Sequence, residues 1–117
     1  MLHYYGHPRC TTCRKARQWL DDHDLAYRFT DITQSPPGPA LLQRLLQQGY
    51  TLRQLFNTSG MLYREMKLKD ALPTMSQPQA LALLNAHGML CKRPIVTDGT
   101  RATVGFRAEI FEKVWGS

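Results

Sequence analysis

The sequence predicts an α/β fold, and three observations about the spacing of its apolar residues carry that expectation. Residues 2–5, Leu-His-Tyr-Tyr, form a short apolar-aromatic run closed by Gly6, and helical spacing begins a few residues later. A second run rich in strand formers, residues 26–32, follows that helix. Far downstream, two more strand-like runs flank Asp98-Gly99 and lead into a final amphipathic helix. The resulting order is βαβ, a helical insert, then ββα.

Each element has its own signal. Cys13, Ala16 and Leu20 share one face of the first helix, residues 11 to about 23, with Trp19 and His23 close to it. Asp24 marks the turn into the second strand. Two strands separated by one helix are expected to be parallel with a right-handed crossover. That places Cys10 at the carboxyl end of the first strand, where open α/β sheets bind ligands. Ser35-Pro36-Pro37-Gly38-Pro39 interrupts the pattern, and residues 40–48 resume it with a stripe of Leu41, Leu42, Leu45 and Leu46 that stops at Gly49. Thr51 is placed to cap a short helix with Leu52 and Leu55 inward. Asn57-Thr58-Ser59-Gly60 is turn chemistry, and residues 61–67 read as a further short helix. Ser76 as N-cap with Gln79 at the capping-box position opens a helix that buries Leu81 and Leu84 and ends at Gly88. Residues 94–97 and 101–106 read as a hairpin turning on Asp98-Gly99. Residues 108–115 close the chain with Ile110, Phe111, Val114 and Trp115 on one helix face.

Length and composition bound the function. At 117 residues the chain is expected to be a single domain, 1–117, with residues 36–90 as its helical insert. Hydrophobic content of 43% and charged content of 21% are those of an ordinary globular protein. No apolar run approaches the ~20 residues of a membrane span, and the start lacks a signal peptide's basic and apolar regions. The expectation is a cytoplasmic monomer that does not engage a membrane. Net charge is +6, but the bases are scattered from Arg28 through Arg44, Arg53 and Arg64 to Lys113. Without a basic run interleaved with aromatics, direct nucleic-acid binding is not expected. Three cysteines in that compartment argue for redox or metal chemistry over a disulfide framework.

The chemistry concentrates in residues 7–17, His-Pro-Arg-Cys-Thr-Thr-Cys-Arg-Lys-Ala-Arg. A cysteine at the first turn of a helix meets free backbone N–H groups and the positive end of the helix dipole, both of which favour a thiolate. Lowering a thiol pKa by two units requires about 2.7 kcal/mol of preference for the anion. A helix terminus supplies roughly 0.3–2 kcal/mol, so the neighbouring cations Arg9, Arg14, Lys15 and Arg17 are needed as well. Cys10 and Cys13, three apart on a helix, face the same way and suit an intramolecular disulfide. Cys10 is the expected attacking sulfur and Cys13 the resolving one. Thr11 and Thr12 offer hydroxyls beside them or satisfy the helix start. A structural zinc site wants four ligands, usually in two paired knuckles, and no second pair at ligand spacing exists, so no metal is expected. A phosphatase-type C-x5-R loop is excluded, because the residue six after Cys10 is Ala16. Cys91 reads either as a third redox partner or, more simply, as a small buried hydrophobe. His7 reads as a source of local positive charge or as an exposed loop residue.

The chain resembles the thioredoxin-fold family that contains the glutaredoxin-dependent arsenate reductases (ArsC) and the Spx- and MgsR-type regulators. The residues that carry the likeness are Pro8-x-Cys10-x-x-Cys13 with Lys15-Ala16, the run Leu55-Phe56-Asn57-Thr58-Ser59-Gly60 with Tyr63-Arg64, the run Leu72-Pro73-Thr74-Met75, and Lys92-Arg93-Pro94-Ile95-Val96 followed by Val104-Gly105-Phe106. The resemblance implies a thioredoxin-like fold with a four-stranded mixed sheet and an inserted helical region, and a cis Pro94 lying against Cys10. It also implies an oxyanion held by three arginines. Arg93 matches one; Asn57 and Phe106 occupy the other two places, with Arg107 adjacent. Gly6 stands where family members place a histidine, although His7 follows. An oxyanion deprived of two bidentate partners loses much of its binding, which argues against arsenate as the physiological substrate.

The expected catalytic residues are therefore Cys10, Cys13 and Arg93, with Thr11, Thr12, Arg9, Pro94 and Arg107 binding an anion or substrate. The leading expectation is a thiol–disulfide oxidoreductase with no bound cofactor, acting on a small oxyanion or disulfide and reset by glutathione, glutaredoxin or thioredoxin. Two alternatives stay open. One is a redox-sensing regulator that binds the RNA polymerase α subunit, as the Spx resemblance implies; the other is a true glutaredoxin-dependent arsenate reductase.

Overall fold

The computed structural model describes residues 1–116. Strand β1 (Leu2–Gly6) leads through a turn into helix α1 (Thr11–Asp22) and back along β2 (Tyr27–Asp31). Helices α2 (Pro39–Gln47), α3 (Met61–Glu65), α4 (Leu68–Ala71) and α5 (Gln77–Ala86) come next. Then β3 (Ile95–Thr97), β4 (Ala102–Val104) and α6 (Ala108–Trp115) complete the chain. The sheet order is β2-β1-β3-β4, with β1 parallel to β2 and antiparallel to β3, and β3 antiparallel to β4. This is the four-stranded mixed sheet of a thioredoxin-like fold. Among the described residues no helix is long and apolar enough to cross a membrane.

Alternation along the strands divides the interior into two cores, because successive side chains point to opposite faces. Leu2, Tyr4 and Val96 pack with Cys13, Ala16 and Leu20 of α1 and with Phe111 and Trp115 of α6. Ile95, Ala102 and Val104 face the insert instead, where Leu42, Leu45, Leu55, Phe56, Tyr63, Leu84 and Cys91 form the larger core. Thr103 is buried on the first face, and the Trp115 indole N–H donates to its hydroxyl at 3.2 Å. The insert is pinned to the sheet at Gly88. A Cβ there would lie 1.9 Å from the Ile32 carbonyl oxygen, so any larger residue would drive the 88–90 turn off the end of β2.

Local chemistry accounts for the helix boundaries. Ser76 and Gln79 form the expected capping box, and Thr51 and Gln54 exchange bonds around the 3-10 turn Arg53–Leu55. Three expectations need correction. The helix expected over residues 61–67 breaks at Lys67, which takes a left-handed φ of 53° so that the chain can turn and bury Leu68 in α4. Helix α5 ends at Ala86, and Gly88 instead opens a 3-10 turn, Gly88–Leu90. Pairing of Thr97 with Ala102 leaves a four-residue loop, 98–101, in which Asp98 accepts from the amides of Thr100 and Arg101 at 2.9 and 2.7 Å.

Candidate functional site

Cys10 is the N-cap of α1, with extended backbone angles (φ −85°, ψ 121°) that end the loop and start the helix. Its amide donates to the His7 carbonyl at 3.2 Å, closing the turn through Pro8 and Arg9. His7 also accepts from the Arg9 amide through Nδ1 at 3.1 Å, so this histidine serves the turn. The Cys10 sulfur takes the place of a capping oxygen: the Cys13 amide donates to Sγ at 3.4 Å. Cys10 is half-buried, whereas Cys13 is fully buried against the sheet. Beneath them the Tyr4 phenol donates to the Cys13 carbonyl at 2.7 Å, anchoring the first turn of α1 to β1. Burial, with the two thiols nearby, pushes the Tyr4 ionisation far up, so the phenol is a fixed donor.

The two thiols are driven in opposite directions. Partial burial works against a Cys10 thiolate, but hydrogen bonds from the Cys13 thiol and amide and from the Arg93 guanidinium outweigh it and hold Cys10 below its ordinary value. Cys13 is pushed up to about 11, first by burial and then by its bond to Cys10 and that sulfur's charge. The surroundings of the pair thus favour charge on Cys10 and keep the hydrogen on Cys13, which donates it. Cys91 lies in the other core, its thiol 3.5 Å from the Leu84 carbonyl, and burial lifts it to about 12. It is the small buried hydrophobe of the two readings.

A cavity of about 240 Å³ opens at Cys10, walled by Thr12, Phe56, the turn 57–59, Lys92 and Arg93. The insert reaches this cavity through a short backbone pairing. The Asn57 amide donates to the Leu90 carbonyl at 2.7 Å and the Lys92 amide to the Leu55 carbonyl at 2.9 Å, around a Phe56–Cys91 bridge. That pairing brings Asn57, Thr58 and Ser59 beside Lys92 and Arg93, a juxtaposition that neither segment announces alone. The Nη1 atom of Arg93 is buried without a hydrogen-bond partner. A buried guanidinium nitrogen left unpaired is costly, and it marks a place where an anion would be favoured.

The other expected residues divide. Thr12 lines the cavity; Thr11 is exposed on the opening turn of α1 and does not line it. Arg9 is exposed and also stands outside it. The Arg93–Pro94 peptide is cis, and Pro94 is buried with its carbonyl accepting from Gly105 N at 2.8 Å. Arg107 is exposed, pairs with Glu109 at 3.0 Å and borders a separate cavity. Lys92 and the 57–59 turn were not singled out as site residues by sequence reasoning, although Lys92 is next to Arg93 and the turn lies in a run that carries the family resemblance. Among the described residues no group of three His, Cys, Asp or Glu side chains is placed to hold a metal ion.

Comparison with known proteins gives one consistent picture. A family model described as ArsC family matches residues 5–114. The protein YusI of Bacillus subtilis is 45% identical over 115 residues, spanning 97% of this chain and 98% of that one. The global transcriptional regulator Spx of Listeria innocua is 29% identical over 111 residues, 93% of this chain and 82% of the regulator. Among solved structures, an ArsC family related protein from Bacteroides fragilis superposes with a TM-score of 0.90 at 36% identity, covering 96% of this chain and 95% of the other.

Proposed function

We propose, from the premise that this chain belongs to the ArsC family, that it is a thiol–disulfide oxidoreductase in which Cys10 attacks and Cys13 resolves. The observation that carries this reading is the Cys10 sulfur at the head of α1, accepting from the Cys13 amide at 3.4 Å beside the Arg93 guanidinium. The Cys10 thiolate attacks one sulfur of a disulfide R–S–S–R′, and R′S⁻ leaves with the bonding electrons. Cys10 is then neutral, which removes the charge and the hydrogen bond that helped to hold the proton on Cys13. Cys13 now loses its proton, attacks Cys10 Sγ and expels RS⁻. The dithiol gives up two electrons and becomes the Cys10–Cys13 disulfide, which glutathione, glutaredoxin or thioredoxin would reduce again. Arsenate is disfavoured as the oxidant, since among the described residues Arg93 is the single arginine lining the Cys10 cavity, and the family resemblance puts Asn57 in the place of a second.

The test is turnover of a disulfide at the expense of one of those reductants, with Cys10→Ser and Cys13→Ser alongside. Loss of reaction in Cys10→Ser and a trapped mixed disulfide in Cys13→Ser are the expected results. A second reading rests on the 29% identity to an Spx regulator: the same pair would then act as a switch without turnover. That reading predicts stoichiometric binding to the RNA polymerase α subunit that changes when Cys10 and Cys13 are oxidised. Oxidoreductase turnover without such binding would sink it.

A further inference from the structure

The helical insert holds a cavity of about 570 Å³ that shares no lining residue with the pocket at Cys10. Its volume lies within the ~300–1,000 Å³ range of small-ligand sites. Leu52, Tyr63, Pro73 and Met75 give it apolar and aromatic walls, Arg53 and Lys69 are its charged residues, and among the described residues no carboxylate lines it. Both cations are exposed, and among the described residues neither has a carboxylate within ion-pair distance. Local structure sets these groups in place. Thr51 and Gln54 close the 3-10 turn that carries Arg53, through bonds of 2.8 and 3.3 Å. An unbroken helix would turn side chains six apart about 120° away from each other. The left-handed Lys67, φ 53°, breaks the helix between Tyr63 and Lys69, and both residues line this one cavity. Tyr63 is 6% exposed, with its ring packed on Phe56 at 6.1 Å between centroids. Among the described residues its hydroxyl has no hydrogen-bond partner and is not sealed off, so it opens on the cavity that the residue lines. A buried tyrosine ordinarily finds a partner for its hydroxyl, so an acceptor from a ligand is favoured there.

We propose that this cavity binds a small aromatic carboxylate, with its ring among Tyr63, Pro73 and Met75 and its carboxylate received by the Tyr63 hydroxyl, Arg53 and Lys69. The site is one of equilibrium binding and stands independently of the reaction at Cys10. The polar end of the ligand follows from the donors: a guanidinium and an ammonium only donate, and the tyrosine hydroxyl has a free proton to give. A cationic ligand is disfavoured by the same two charges. The apolar end follows from the walls, since a tyrosine ring favours a second ring at its edge or face, and a methionine sulfur makes a further contact with an aromatic edge. Exposed cations contribute modestly, so burial of the ligand ring and the bond from Tyr63 carry most of the affinity.

The test is titration of the full chain, kept reduced, with 2-naphthoate, followed by calorimetry and by amide chemical shifts. The uncharged 2-naphthylmethanol and the alkyl carboxylate octanoate serve as comparisons. Saturable one-to-one binding of 2-naphthoate is expected, with shifts centred on Arg53, Tyr63, Lys69 and Met75. The alcohol should bind about tenfold more weakly and octanoate about threefold more weakly. Tyr63→Phe keeps the ring and should weaken 2-naphthoate about tenfold, yet leave thermal unfolding in place, because the hydroxyl has no bond inside the protein to lose. Arg53→Gln and Lys69→Gln should each weaken it about threefold. Cys10→Ser should bind like the wild-type protein, which separates this site from the oxidoreductase reading. Absence of saturable binding overturns the proposal, as do shifts confined to Asn57, Lys92 and Arg93 around Cys10. Equal affinity for the alcohol or for octanoate overturns it too. A Tyr63→Phe protein with unchanged affinity, or one that unfolds at lower temperature, removes the hydroxyl from the site and the proposal with it.

Discussion

Cys10 and Cys91 are the same residue type, each close in sequence to arginine or lysine, yet the fold makes them opposites. Cys91 directly precedes Lys92 and Arg93, but its sulfur points into the core under the insert, 3.5 Å from the Leu84 carbonyl. The charge of Arg93 lowers its pKa a little, and burial overwhelms that, leaving the thiol at about 12. Cys10 is also penalised by burial, but it is half-exposed, and donors from Cys13 and Arg93 converge on its sulfur. What activates a thiol here is the count of donors aimed at the sulfur, and neighbouring cations in the sequence are a poor guide to it.

The widest gap between the two sites should appear in alkylation. A thiol at about 12 is thiolate in roughly one part in 10⁵ at pH 7. Cys10 should therefore react with iodoacetamide at least about 10³-fold faster than Cys91 in the folded protein, also at pH 6. Peptide mass mapping of a labelling time course checks this, and comparable rates would end the contrast. Replacing Cys13 sharpens it further. Cys13→Ala deletes the thiol donor but keeps the backbone amide, so the alkylation midpoint of Cys10 should rise without reaching that of an ordinary thiol. Arg93→Gln removes the remaining charged donor. It should shift the midpoint upward, lowering the thiolate fraction at a fixed pH below the midpoint. An unmoved midpoint in Arg93→Gln would mean that the guanidinium serves only an incoming anion.

The contrast also separates what the sequence could disclose from what it could not. The Cys10–Cys13 pair and the Ser76–Gln79 box were legible because their chemistry is complete within four residues. The order of elements along the chain followed from period changes, and the parallel β1–β2 pair from the crossover rule, whereas the place of β3 beside β1 is not written in any one strand. The cavity wall was not legible in that way, because Asn57 meets Lys92 through a pairing between segments about 35 residues apart. Lys67 was missed for a different reason: lysine has no preference for left-handed φ, so only the burial of Leu68 required it. The role of Tyr4 was hidden too, as a phenol in a strand gives no sign of which carbonyl it will meet.

The smallest expected effect is one of stability, and it isolates Cys91 from the chemistry altogether. A thiol raised from 9.0 to about 12 keeps its proton in the fold while the unfolded chain releases it. Its contribution is therefore fully present below pH 9 and is lost as pH climbs toward 12, at up to about 1.4 kcal/mol per pH unit. Cys13, raised to about 11, acts in the same direction over a shorter window; Cys10, lowered, acts in the opposite one. Cys91→Ala should cost about 1 kcal/mol at pH 7, where it leaves a small cavity and removes the thiol's weak bond to the Leu84 carbonyl. At pH 10 that deficit should shrink or vanish, because the variant has no buried thiol to keep protonated. Urea unfolding of both proteins at the two pH values checks it, with reductant present. A deficit that stays constant between pH 7 and pH 10 would show that burial does not hold the Cys91 proton, and the opposition between the two cysteines would lose its physical cause.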